Sequence, residues 1–176
     1  MASCTSYTLS GLNAGCKDSV GGVAKIWLAD FGSVNWVFND SAKTAKAEGP
    51  ISSFKVYNLR KGAASMTSTL TANDNAGSYF TTEITMNFLK MEASKRLEVM
   101  AMLMGQCTGV VKDRNGKYWA IGVENPLEGS AGTGETGTAI GDANQYTVTI
   151  SVEETELPYE ITDATMINDL EVVKVV

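Results

Sequence analysis

The sequence predicts a mainly β protein: a β-sandwich or open barrel with one flanking α-helix, about 91–104, and a long β-hairpin, about 51–71. Three observations carry this. Several strand-length segments alternate polar and apolar residues at period two. Seventeen glycines against three prolines favour a turn-rich β chain over a helical bundle. Only one stretch, from Met91, repeats its apolar residues at helical spacing. The 176 residues suit one domain, 1–176, of a size that buries a real core, and 44% apolar residues exclude wholesale disorder.

Residues 1–22 read as an N-terminal arm. VAKIWLADF (23–31) and VNWVFN (34–39) read as strands joined at Gly32-Ser33, and DSAKTAKAEGP (40–50) as a polar loop or short frayed helix. ISSFKVYNL (51–59) alternates Phe54 and Val56 against Lys55, Tyr57 and Leu59. RKGAA (60–64) punctuates it, and SMTSTLT (65–71) is its expected hairpin partner. TANDNAGS (71–78) is a turn cluster. In 80–88, Phe80, Thr82, Ile84, Met86 and Phe88 share one face, and Thr81, Glu83, Thr85 and Asn87 share a wet one. The helix that follows places Ala93, Leu97, Met100, Ala101 and Met104 on one face, expected inward, and stops at Gly105. Met102 and Leu103 lie off that stripe, so the helix is expected to have a neighbour on its second side. CTGVVKDRNGKYWAIGV (107–123) reads as two strands around the turn Asp113-Arg114-Asn115-Gly116. Residues 124–141 read as a Gly-rich loop. QYTVTISVEE (145–154) turns Tyr146, Val148, Ile150 and Val152 inward against Thr147, Thr149 and Ser151. The tail NDLEVVKVV (168–176) reads as a last strand. Trp27, Trp36 and Trp119 fall in alternating strands and are expected in the core.

Charge is uneven. Residues 1–119 hold 13 of the 14 basic residues and 9 of the 20 acidic ones, a balance of +4. Residues 120–176 hold Lys174 against 11 carboxylates, a balance of −10. Such a surface disfavours specific nucleic-acid binding and suits a solvated face, or one that stays near a polyanion without holding it. No apolar run approaches the ~18 residues of a membrane span, and the start lacks a secretion-signal layout, so a cytosolic origin is expected.

Chemistry has little to work with. With no histidine, Ser-His, Cys-His and His-metal arrangements are excluded. Cys4, Cys16 and Cys107 make neither a disulfide framework nor a zinc set and are expected as free thiols. GSAGTGETG (129–137) contains GxGxxG at Gly132, Gly134 and Gly137. It leads into a strand rather than a helix, and Glu135 stands where a phosphate loop needs lysine. A calcium loop from Asp113 lacks its sixth-position glycine, which is Tyr118. The five methionines within 80–105 lack ligand support and are expected as packing of helix on sheet. No enzyme activity and no cofactor are expected.

VVKDRNGKYWAIGVEN, then a Gly/Thr loop, then TGTAIGDANQYTVTISVEETELPYEI resembles the C-terminal half of tail tube proteins of long-tailed phages and prophages. CKDSVGGVAKIWLADF is similar to the opening of phage structural proteins found with them. The resemblance implies a virion structural protein, assembled in a host cytoplasm. Its β-sandwich subunits would form hexameric rings that stack into a tube, with strands of every subunit joined in an inner β-barrel around the DNA channel. Its partners would be itself, other tail proteins, and double-stranded DNA passing without specific binding, with no membrane.

A DNA conduit needs a hydrated, mildly negative wall along which phosphates slide. Thr81, Glu83, Thr85 and Asn87 would suit that lumen, with Ser65, Thr67 and Thr69 on a neighbouring strand. Arg60, Lys61 and Gly62 at the hairpin tip would meet Glu153, Glu154 or Glu156 of the next ring, a heterologous contact that propagates. The alternatives are a head decoration or accessory capsid protein, which shares the acidic β character, and a soluble carbohydrate-binding sandwich, which would present aromatics on a groove.

Overall fold

The structure is a computed structural model and describes residues 11–12, 18–39, 44–72 and 77–173. Cys4, Cys16, most of the expected arm over 1–22 and the centre of the 71–78 turn lie outside the described residues. Strands β1 (Val23–Asp30), β2 (Asn35–Asn39), β3 (Thr44–Glu48), β4 (Lys55–Asn58), β7 (Cys107–Asp113), β8 (Tyr118–Ile121) and β11 (Tyr159–Ile161) form a seven-stranded sheet ordered β2-β3-β11-β8-β7-β1-β4. Strands β5 (Ala64–Thr71), β6 (Tyr79–Leu89), β9 (Glu128–Glu135) and β10 (Gln145–Glu154) form a four-stranded sheet ordered β5-β6-β10-β9. Helix α1 (Ala93–Met104) follows β6, and helix α2 (Ala164–Val172) follows β11.

The two sheets pack as a β-sandwich. Ile84, Met86, Val148, Ile150 and Val152 of the small sheet share one core with Val23, Ile26, Leu28, Val111 and Ile121 of the large one. The large sheet is apolar on its other face too. There Trp27, Ala29, Phe54, Val56, Val110 and Ala120 pack against Met166 and Leu170 of α2. This double burial explains why β1 reads Ile-Trp-Leu-Ala without a polar break, whereas the small sheet alternates cleanly. Trp27 is fully buried and donates its Nε1–H to the Leu170 carbonyl at 3.0 Å. Trp36 and Trp119 are half-buried against the two cores.

Several expectations are corrected. The segments 51–59 and 65–71 are not a hairpin. β4 pairs with β1 in the large sheet, and β5 pairs with β6 in the small one. β4 contributes to both cores, Val56 to one and Tyr57 to the other, which suits the doubly covered sheet. β5 carries polar Ser and Thr on alternate positions and suits the one-sided sheet. Residues 44–48 are a strand rather than a loop, because Ala45 and Ala47 alternate into the core beside α2. The tail is helical through Val172. Asp163 caps it by accepting the Met166 N–H at 2.8 Å, and Met166 and Leu170 recur at helical spacing. Among the described residues the flanking α-helix is therefore one of two.

Glu171 ties α2 to the large sheet. It accepts from Lys25 at 2.5 Å, Lys112 at 2.7 Å and the Tyr118 hydroxyl at 2.7 Å. Burial alone would raise its pKa, but these donors outweigh it and hold the carboxyl at about 2. The β7–β8 turn forms as expected, with Gly116 at φ 81° and the Asp113 carboxylate accepting the Asn115 and Lys117 N–H groups. The Asn115 amide in turn pairs with both backbone groups of Val20, at 2.7 and 3.0 Å, and so fixes residues 18–22 against this turn.

Helix α1 packs by a different face from the one its spacing predicts. Val99 and Met102 are buried and Leu103 is half-buried, while Leu97, Met100 and Met104 are exposed. Of the five methionines expected as packing, Met86 and Met102 are in the core, and Met100 and Met104 are exposed. The reason lies in β9, the strand that occupies Glu128–Glu135 within the expected 124–141 loop. Gly129, Gly132 and Gly134 face inward, opposite Ile150, Val148 and Tyr146. A Cβ at Gly129 would stand 2.4 Å from the Leu103 carbonyl oxygen, and one at Gly132 would stand 2.4 Å from a Leu103 methyl. Gly129 and Gly132, within the stretch that mimics a nucleotide motif, are the seat of a helix.

Candidate functional site

The outer face of the small sheet gathers all seven residues expected on a wet wall. Ser65 stands opposite Thr85, Thr67 opposite Glu83, and Thr69 opposite Thr81. On the other side of β6, Thr147 stands opposite Asn87, Thr149 opposite Thr85, Ser151 opposite Glu83, and Glu153 opposite Thr81. β9 extends the rows with Thr133 beside Thr147 and Ala131 beside Thr149. Side chains alternate along β5, β6 and β10, so one parity choice, made by Ile84 and Met86 entering the core, sends their groups outward, and β9 follows in step with β10 through a register shift beside Thr149.

The face is built of hydroxyls. Thr85 Oγ1 and Thr149 Oγ1 lie 3.3 Å apart, and the Ser130 hydroxyl donates to the Thr149 carbonyl. Ser65, Thr67, Thr69 and Glu83 are exposed, and Thr81, Thr85 and Asn87 are half-buried among their neighbours. No lysine or arginine occurs on any of the four strands, whereas carboxylates stand at Glu83, Glu128, Glu135, Glu153 and Glu154. The lysines of strands sit in the large sheet, at Lys25, Lys46, Lys55 and Lys112. The charge imbalance along the chain is thus an imbalance between layers. A face of this kind hydrates well and offers a phosphate backbone no cation to dock on.

The sheet's edges are open. Among the described residues β5 pairs only with β6, and β9 only with β10. All three pairings are antiparallel, so the four strands alternate in direction and the two open edges run opposite ways. β9 is exposed along its whole length. The contributions of β9 and β10 to this face are absent from the predicted set. Thr147, Thr149 and Ser151 carried the same alternation, but nothing in one sequence said that their strand would pair with β6.

No protein-family model, curated protein or solved structure matches this chain.

The two groups expected to meet between rings lie at opposite ends of the small sheet. Arg60, Lys61 and Gly62 form an exposed turn before β5, closed by the Ala63 N–H donating to the Arg60 carbonyl at 3.0 Å, with Gly62 at φ 78°. Glu153 stands at the level of Thr69 and Thr81. From Ala63 to Thr69 the strand rises about 20 Å. Glu153 is exposed, and Glu156 is half-buried with its carboxylate accepting from the Tyr159 hydroxyl at 2.8 Å. Glu154 is corrected: it is 6% exposed and takes no part in a surface contact. Its Oε1 accepts the Val123 N–H at 2.6 Å and the Glu124 N–H at 3.0 Å, pinning the 122–126 turn to β10. Burial pushes its carboxyl pKa up, against the pull of those N–H donors.

Among the described residues no cluster of three or more acidic, cysteine or histidine side chains is arranged to hold a metal ion, and no helix is long and apolar enough to cross a membrane. Cys107 is a half-buried free thiol whose pKa is raised by burial first and by Asp30 and Glu98 second, the opposite of an activated nucleophile.

Proposed function

We propose that this chain is the tail tube subunit of a long-tailed phage, polymerising as stacked rings around a channel through which DNA is ejected. The observation that carries the reading is a four-stranded antiparallel sheet with a hydroxylated outer face, no basic residue, and two open edges of opposite direction. In head-to-tail contact, β9 of one copy meets β5 of the next antiparallel, so a ring of such sheets closes into an unbroken antiparallel barrel. With six copies, the number that the family resemblance implies, about 24 strands at about 4.8 Å spacing give a backbone circle at least roughly 37 Å across. The hydroxyl face would line it.

Along the axis, the exposed Arg60-Lys61-Gly62 turn at one end would meet Glu153 at the other in a ring-on-ring contact. That contact is heterologous and does not close, which is the property a filament needs. Other tail proteins would terminate the stack.

Negative-stain microscopy of the purified protein tests the reading. Hollow rings or tubes are expected on concentration. Compact monomers that persist at high concentration overturn it.

A further inference from the structure

The outward stripe of α1 is an apolar surface that the fold of one copy leaves uncovered. Ala93, Leu97, Met100, Ala101 and Met104 run along one side of the helix, and all are exposed, Leu97 at 66% and Met104 at 84%. Solvent-facing helix surfaces are ordinarily polar, and a continuous apolar stripe marks a contact. α1 is seated on the inner face of β9, so the stripe belongs to the layer behind one open edge of the small sheet.

A second apolar feature lies behind the other open edge. Leu70 on β5 occupies an inner-face position, opposite Phe80, yet is 54% exposed. With Phe80 and Leu157 it lines a groove of about 580 Å³ whose rim includes Glu156. The α1 stripe is flanked by Arg96, which is exposed and has no ion-pair partner among the described residues. The two features thus lie on the same side of one sheet, at its opposite edges, and carry opposite charge.

We propose that the α1 stripe docks on a second copy of this chain, against the Leu70 groove behind that copy's β5. Pairing of β9 with the next copy's β5 joins the sheet edges, and the layer behind the joint must then be closed by what stands at each edge. Those are α1 on one side and Leu70 with its groove on the other, with Arg96 brought towards the acidic rim. Edge hydrogen bonds alone are indifferent to which strand they join. The apolar contact gives the joint its preferred partner and makes the interface a two-layer one. This inference rests on the ring reading above.

The test uses two full-length variants, Leu97→Glu/Met104→Glu and Leu70→Glu/Leu157→Glu, examined by light scattering and microscopy beside the wild type. All four side chains are exposed, so thermal melts matching the wild type are expected. Should the first variant melt early, Met104→Ser carries the same test. Each variant alone is expected to remain a monomer, because each has lost one side of every joint. Mixed one to one, they are expected to give a heterodimer of twice the mass and nothing larger, joined through the one intact pair of surfaces. A mixture that stays monomeric overturns the proposed pairing of surfaces. Variants that form rings as the wild type does overturn the inference and leave the ring reading standing. A wild type that never assembles removes both.

Discussion

Burial raises the Glu154 carboxyl above the usual carboxylate range, while the donors around Glu171 hold that carboxyl at about 2, so the two respond to pH in opposite senses. For Glu171 the folded value is depressed. Its stabilisation is fully present above its ordinary value of 4.5 and is lost as pH falls from there towards 2. For Glu154 the folded value is raised. The folded state holds that proton more tightly than the unfolded chain, and stability declines as pH rises from 4.5 through the raised value. Glu154→Gln keeps an oxygen to accept both N–H groups and removes the charge, so urea midpoints of variant and wild type should diverge in the variant's favour as pH rises from 4 to 8. Glu171→Gln should lower stability at pH 7 by about 1–2 kcal/mol, since its bonds to two lysines are charge-assisted but partly solvated. That deficit should vanish near pH 2.

At the scale of elements, the junction of α1 with β9 is the place where sequence and structure part most clearly. Leu97, Met100 and Met104 form a better stripe than Val99, Met102 and Leu103, so periodicity alone aims the helix the wrong way. Hydrophobic spacing reports that a face will be covered, not by what. The information that decides the matter sits elsewhere, in Gly129 and Gly132 of β9, which leave room for the Leu103 backbone and side chain, and a glycine-rich segment reads locally as a loop. β6 and β10 were legible because each owns a complete alternation, and the wet face followed from them. β4 and β5 were misjoined because adjacent strands ordinarily pair, and only the double burial of the large sheet separates them. Gly129→Val should cost about 1–3 kcal/mol by overpacking against backbone and should expose α1 amides to hydrogen exchange. Gly141→Ala, where a Cβ meets nothing within 4 Å, should leave the urea midpoint unchanged.

For the whole molecule, the division of charge between layers is the property a conduit would use. Thr67→Lys with Glu83→Lys places two cations on the outer face of the small sheet without touching either core. Assembled tubes of this variant should retain duplex DNA at low salt and release it as salt rises, with log affinity falling by about 0.9 per phosphate neutralised, while wild-type tubes retain none. Lysine-bearing tubes that ignore DNA at low salt would show that this face does not line the channel. The large sheet has a consequence of another kind, for the order in which the molecule forms. Among the described residues its β2–β3 pair is joined to the rest only through β11, which meets β3 in parallel at Glu160 and Thr44, so the sheet is completed by strands more than a hundred positions apart. A chain emerging from the ribosome can therefore pair β5 with β6 long before β2 and β3 find their neighbour. β11 and α2, made after every strand of the small sheet, act as the bolt: until they arrive, Trp27 lacks the Leu170 carbonyl, Phe54 lacks α2 as a neighbour, and the outer face of the large sheet stays open.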